Sequence, residues 1–272
     1  MSAVSKFAGL AILFVAGLLM ATQSFAQYQV VTVTDGGTIT GTVKWSGAKP
    51  KPLTLPITKN PDVCEINGQK TRDLERLEIA PDEGVANTVV FLKDISKGKA
   101  MDLPVAERSL DQKNCRYIPH IMLVPKGDNL AMVSQDPILH NIHMTGVEVY
   151  NIPFPIENHV VNRPFPRDGV TNIKCDAGHV WMNSEVLTVD QPYYAITDKD
   201  GNFKLTDVPP GTYTIEAWHE GWHIAREESS MDVDSHQMVN RPIFSDPVTW
   251  DQKVTVPAKG TAKVNFTITE RT

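Results

Sequence analysis

The sequence predicts an all-β protein, and three observations predict it. Apolar and polar residues alternate over short runs, valine and threonine crowd those runs, and Gly, Pro and Asp cluster between them. Helical periodicity is thin throughout. Two domains are expected, because about 245 residues behind a leader hold one large or two small cores.

The chain begins "MSAVSKFAGLAILFVAGLLMATQSFA", with Lys6, an apolar run from Phe7 to Met20, and small residues at Ser24 and Ala26. That is the pattern of a secretory signal over residues 1–26, with cleavage expected after Ala26. The apolar run is short for a bilayer span, and an uncleaved anchor is the alternative. No later segment is apolar enough to cross a membrane, so a periplasmic or secreted location is expected.

The strands follow as "GTITGTVKW", "NTVVFL", "IMLVP", "NLAMVS", "EVLTV", "NFKLTDV", "GTYTIEAW", "KVTVPA" and "AKVNFTI", separated by "PKGD", "DKDG" and "PPG". "DKDG" reads as a hairpin turn with Gly201 left-handed, and "PPGTY" as a tight loop feeding the next strand. The only helical candidate is a short piece around Thr71–Leu77, with a turn near Met101–Arg108. Residues 225–247, polar and acid-rich, read as a long surface excursion with no assigned role.

The net charge is -6. Loss of the leader, which carries Lys6 and no acid, makes it more negative. That disfavours nucleic acid and anionic membrane surfaces, both of which select basic patches. Three cysteines in an oxidising compartment leave at least one unpaired, which calls for a chemical reason. Cys64 and Cys115 are candidates to pair with each other, although spacing does not fix connectivity. Cys175 would then be the odd thiol, and it stands in "CDAGHVWM" beside His179 and Met182.

Two other patterns carry possible chemistry. "HEGWH", His219 to His223, matches the His-Glu-x-x-His pattern of zinc proteases, which needs a helix to bring both imidazoles to one face. Here it follows the strand-like "GTYTIEAW" and contains Gly221. Trp181, Trp218 and Trp222 could form a sugar-stacking platform, but aromatics beside "PPGTY" more often belong to a core. No nucleophile elbow, phosphate loop or paired carboxylates stand out, and no enzymatic activity is expected.

Two family resemblances organise these pieces. "GGTITGTVKWSG", Thr197-Asp-Lys-Asp-Gly-Asn-Phe203 and Val208-Pro-Pro-Gly-Thr-Tyr-Thr214 resemble the carboxypeptidase regulatory-like, transthyretin-like β-sandwich. "CRYIPHIMLVPKGDNLAMVSQDPILHNIHM", followed by "CDAGHVWM", resembles the cupredoxins, the blue-copper proteins. Together they imply a cupredoxin-like Greek-key sandwich, residues 109–190, inserted into a carboxypeptidase regulatory-like sandwich formed by residues 27–108 and 191–272.

The cupredoxin resemblance implies one copper ion cycling between Cu(I) and Cu(II), held by His140, Cys175, His179 and Met182. One thiolate, two imidazoles and a weak axial thioether suit such a site. Two features depart from familiar patterns. Three residues separate Cys175 from His179, where the small blue-copper loop often has two. The dinuclear oxidase centre, which shares the wider spacing, needs a cysteine where this chain has Thr171.

In "LHNIH", side chains three apart on a strand point to opposite faces, so His140 and His143 cannot readily share a metal. The resemblance selects His140 and gives Asn141 the role of cross-linking the ligand loops. His120, His143, His219 and His223 remain candidates for a second metal site. The function implied is one-electron transfer with a redox protein, such as a c-type cytochrome or respiratory complex. A copper carrier, a carbohydrate-binding module and a zinc protease are the rival readings.

Overall fold

The computed structural model describes residues 28–104, 108–232 and 235–270. The expected leader, residues 1–26, lies outside the described residues. The chain is all-β, and among the described residues Pro61–Cys64 is the one α-helix. No helix among them is long and apolar enough to cross a membrane.

Residues 109–189 build two sheets face to face. One runs Val161–Pro164, Asn129–Ser134, Ser109–Gln112, Tyr117–Ile118; the other runs Asn151–Phe154, His140–Gly146, Gly169–Lys174, Asn183–Val189, Ile121–Pro125. Alternation determines what each strand buries. Leu130 and Met132 face Ile142, Met144, Ile173 and Val186 across a common core, while the intervening residues look outward.

A second pair of sheets comes from both ends of the chain. One holds Tyr194–Ile196, Val89–Lys93, Gly211–His219 and Val248–Val256; the other is centred on Gly37–Ser46, flanked by Asn202–Val208 and by Thr261–Lys263 and Phe266–Thr269. Ile39, Val43 and Trp45 of the central strand point inward to Phe203, Ile215 and Phe266. Gly201 in "DKDG" has φ +79°, the left-handed conformation expected of that turn.

The two units meet through a small apolar cluster. Ile121, Leu123, Leu187 and Val189, from the outer face of the five-stranded sheet, pack on Val89 and Trp218 of the terminal sandwich. Beside it lies a buried polar group. Arg76 pairs with Glu185 at 2.8 Å and with Glu220, and Glu220 also pairs with His120. Burial and the neighbouring Glu220 push the Glu185 carboxyl up to about 7, against the pull of Arg76.

The segment expected to carry a short helix at Thr71–Leu77 is different. Thr71–Asp73 pairs antiparallel with Thr54–Pro56, and Glu75 sits at φ 60°, which ends any regular element there. The helix is instead Pro61–Cys64, with Pro at its first turn. Although it precedes residue 109, this segment packs on the insert: Cys64 and Leu74 are buried in the insert's core, and Cys64 is disulfide-bonded to Cys115.

In the stretch expected as a surface excursion, Ile224–Met231 pairs antiparallel with Met238–Phe244. This hairpin projects from the terminal sandwich onto the insert. Arg241 donates to the Cys175 carbonyl, and Lys59 pairs with Asp232 at 3.0 Å. Two appendages therefore meet beside the Cys175 loop.

Candidate metal centre

Cys175 follows directly on the strand Gly169–Lys174, and the chain then folds back through a tight turn closed by the Met182 amide donating to the His179 carbonyl at 3.0 Å. Gly178 makes that turn possible at φ +82°, and a Cβ there would lie 2.5 Å from the Asp232 carboxylate. Any larger residue would meet both a backbone and a steric penalty.

The turn delivers His179 to the side of Cys175 that His140 reaches from the neighbouring strand. The Cys175 sulfur lies 3.6 Å from His179 Nδ1 and 4.0 Å from His140 Nδ1. All three donor atoms lie within 4.8 Å of one another, and all three residues are fully buried. His140 and Ile142 alternate toward this interior. His143, on the opposite face, instead contacts Asp176 at 2.5 Å through Nδ1 and stays partly exposed.

The imidazoles are held from behind. Nε2 of His140 meets the Asp136 carboxylate at 2.9 Å, and Nε2 of His179 meets Asn60 Oδ1 at 3.0 Å. Asp136 is itself fixed by the backbone N–H groups of Asn114 and Cys115, both at 2.7 Å. With each Nε2 engaged, Nδ1 is the nitrogen presented to the sulfur, an arrangement typical of metal-binding histidines.

Asn141 donates to Asn151 at 2.7 Å and accepts from the Asp176 amide at 3.3 Å. It thereby ties the His140 strand to the Cys175 loop. Met182 is buried in the same core as Cys175.

Electrostatics favour a thiolate. Burial pushes the Cys175 thiol up, but hydrogen bonds and charge from His140 and His179 outweigh it and bring it to about 6. Burial likewise lowers His140, yet Asp136 and Cys175 raise it to about 9. Asp136 is held below the ordinary carboxylate range: burial raises it, and His140 with the two amides more than compensates. The metal-free site is therefore a thiolate–imidazolium pair inside the core.

This donor set fits copper. A soft thiolate and two imidazoles, preoriented in a closed site, match a Cu(I)/Cu(II) ion better than the hard cations, which take oxygen ligands. The disulfide forms one wall, since the sulfurs of Cys64 and Cys115 also lie within 4.8 Å of the donor atom of His179.

The remaining sequence candidates lie elsewhere. His219 ends a strand, is buried, and contacts the Glu220 carbonyl at 2.8 Å; His223 is exposed and pairs with Glu270 at 2.8 Å. No helix brings them to one face, as a zinc protease would require. His120 is engaged with Glu220. Trp181, Trp218 and Trp222 are buried, so they offer no exposed stacking platform. Asp136 and Asn60 escaped the sequence reading. Asp136 stands four residues before His140, a spacing that "QDPILH" displayed; Asn60 left no comparable signal.

A family described as "BOS complex subunit NOMO1-like, second beta sandwich domain" matches residues 184–243. No curated protein matches the chain. Among solved structures, a purple cupredoxin from Nitrosopumilus maritimus is similar at 19% identity and TM-score 0.27, over 30% of this chain and 98% of that one. A copper-containing nitrite reductase from Thermus scotoductus is similar at 18% identity and TM-score 0.29, over 34% of this chain and 24% of that one. A reduced amicyanin variant is similar at 18% identity and TM-score 0.28, over 32% and 87% respectively.

Proposed function

We propose that this chain is an exported, mononuclear copper protein that transfers single electrons between periplasmic redox partners and turns over no substrate. The observation that supports it is the convergence of the Cys175 sulfur with Nδ1 of His140 and His179, each ring fixed from behind by Asp136 or Asn60. Cys175, His140 and His179 would hold the ion, with Met182 as a further, weak donor. A bound copper supplies a one-electron couple.

The protein's own contribution is rigidity and exclusion of water. Both histidines have their second nitrogen tied and all three donors are buried, so the ligands need not rearrange between oxidation states. Arg241 on the Cys175 carbonyl and Asn141 on the Asp176 amide hold the loop in register. The terminal sandwich, which we read as carboxypeptidase regulatory-like, supplies the hairpin that closes the site and a surface for a partner such as a c-type cytochrome.

The buried donors favour electron transfer over a copper carrier, which needs an exchangeable site. The test is addition of Cu(II) to the purified, metal-free protein. One equivalent should give an intense thiolate-to-copper absorption that is reversibly bleached by one electron. Colourless retention of Cu(I) without a stable Cu(II) form would point to the carrier, and no copper binding would end the reading.

A further inference from the structure

The hairpin Ile224–Met231/Met238–Phe244 has two faces of different character, set by strand alternation. Asp232 and Arg241 turn inward and are buried, Arg241 on the Cys175 carbonyl and Asp232 against Gly178. The opposite face carries Ser229, Met231, Met238 and Asn240, all exposed to solvent.

Met231 and Met238 are partners across the hairpin, and they are 56% and 63% exposed. The other described methionines are buried or half-buried, so the two that face solvent stand opposite each other. The next pair toward the turn is bridged by the Asp232 amide, which donates to the Gln237 carbonyl at 2.8 Å. Met231 and Met238 therefore occupy the adjoining non-hydrogen-bonded position, where cross-strand side chains approach most closely, with Cβ atoms about 4.5–5.5 Å apart. A methionine side chain is unbranched and freely rotating, so both sulfurs can turn to one point. His236, in the turn two positions before Met238, is exposed and sits at φ 57°, its amide donating to the Asp232 carbonyl at 2.8 Å. It adds an imidazole at the same end of the hairpin.

The surroundings argue against other occupants. Ser229 donates to Asn240 at 2.8 Å beside the methionine pair, and Ser235 and Gln237 are exposed in the turn. A protein partner would meet two apolar side chains in a polar setting rather than a contiguous patch. Asp232, the carboxylate among the described residues of the tip, faces inward to Lys59 and Ser235. Hard cations, which take oxygen ligands, find no carboxylate on the outer face. Two thioethers and an imidazole suit a soft, monovalent ion.

We propose that the tip of this hairpin is a surface site for Cu(I), held by the sulfurs of Met231 and Met238 and the imidazole of His236. It is distinct from the buried donors, since Arg241 and Asp232 of the inner face stand between it and the Cys175 loop. Open to solvent, it exchanges its ion freely. None of its residues belongs to the buried centre, so the inference does not rest on the copper reading made there.

The test is titration of the metal-free protein with Ag(I), an air-stable stand-in for Cu(I), in chloride-free buffer, read by NMR of methyl-labelled methionine. The signals of Met231 and Met238, assigned from their Leu variants, should shift together along one binding curve. Met231→Leu should weaken binding at least about tenfold and largely remove the response of Met238; Met238→Leu should do the same to Met231. His236→Ala should weaken binding by a similar factor. Each of these side chains is exposed, so the fold should stay intact, with circular dichroism as the check. The same shifts should appear in Cys175→Ser, whether or not the buried donors take metal, and Ca(II) should leave both methyl signals in place. Static methyl signals, separate curves for the two methionines, undiminished binding to the Leu or Ala variants, loss of the shifts in a folded Cys175→Ser, or an equal response to Ca(II) would each overturn the proposal.

Discussion

Replacing His140 by Gly in the metal-free protein should raise the pH at which Cys175 becomes a thiolate. Cys175 is fully buried, which alone would push its thiol above the ordinary value, yet two imidazoles at 3.6 and 4.0 Å bring it from 9.0 to about 6. Three pH units correspond to about 4 kcal/mol favouring the thiolate, an order-of-magnitude figure. His140, raised to about 9 with Asp136 behind it, supplies positive charge at neutral pH. Removing that ring takes away one of two hydrogen bonds and its charge, so the midpoint should rise by about 1–2 pH units.

The assay is thiolate absorbance near the ultraviolet edge, followed from acid to alkali with circular dichroism as a check on the fold. In the wild type the band should be present above pH about 6 and lost as pH falls through that value. In His140→Gly it should appear only at higher pH, and added imidazole should restore the earlier midpoint. A wild-type midpoint near 9, or a variant midpoint unchanged at about 6, would refute the thiolate–imidazolium pair.

The sign of the linked stability is also determined. The depressed thiol contributes stability that is lost as pH falls through about 6, and the raised imidazole contributes stability that is lost as pH rises through about 9. Across 6.5–9, folded and unfolded states hold the same single proton on this pair, so its net contribution stays flat.

Further outcomes follow from the same geometry. Cys175→Ser should abolish the copper charge-transfer colour while leaving the β-sheet dichroism intact; a coloured variant with one equivalent of copper would displace the sulfur from the site. His143→Ala should leave the copper spectrum nearly unchanged, because His143 contacts Asp176 on the other face, whereas His140→Gly should open a position that exogenous imidazole refills. Thiol counting on denatured, metal-free protein should find one free cysteine. Cys64→Ser should lower stability by about 4 kcal/mol for a loop of 51 residues, read by denaturant unfolding.

The sequence alone determined which residues could come together near Cys175. Alternation in "LHNIH" separated His140 from His143, and the short spacing of "CDAGHVWM" brought a thiol and an imidazole into one turn. These are local properties, settled by strand periodicity and by one glycine at φ +82°. The strand pattern likewise announced an all-β chain, because a half-buried strand must alternate wherever it sits.

Only the tertiary structure decided what surrounds those residues. Asn60 reaches His179 across 119 positions, and Arg241 reaches the Cys175 carbonyl across 66. Thr71–Asp73 became a strand because Thr54–Pro56 lay beside it, and in the stretch that looked like a polar excursion the strand Met238–Phe244 brings Arg241 onto the Cys175 carbonyl. Such contacts leave no periodic trace. They depend on where two folded units dock, and docking is set by complementary surfaces such as the outer face of Leu187 and Val189 against Trp218 rather than by the order of residues along either strand.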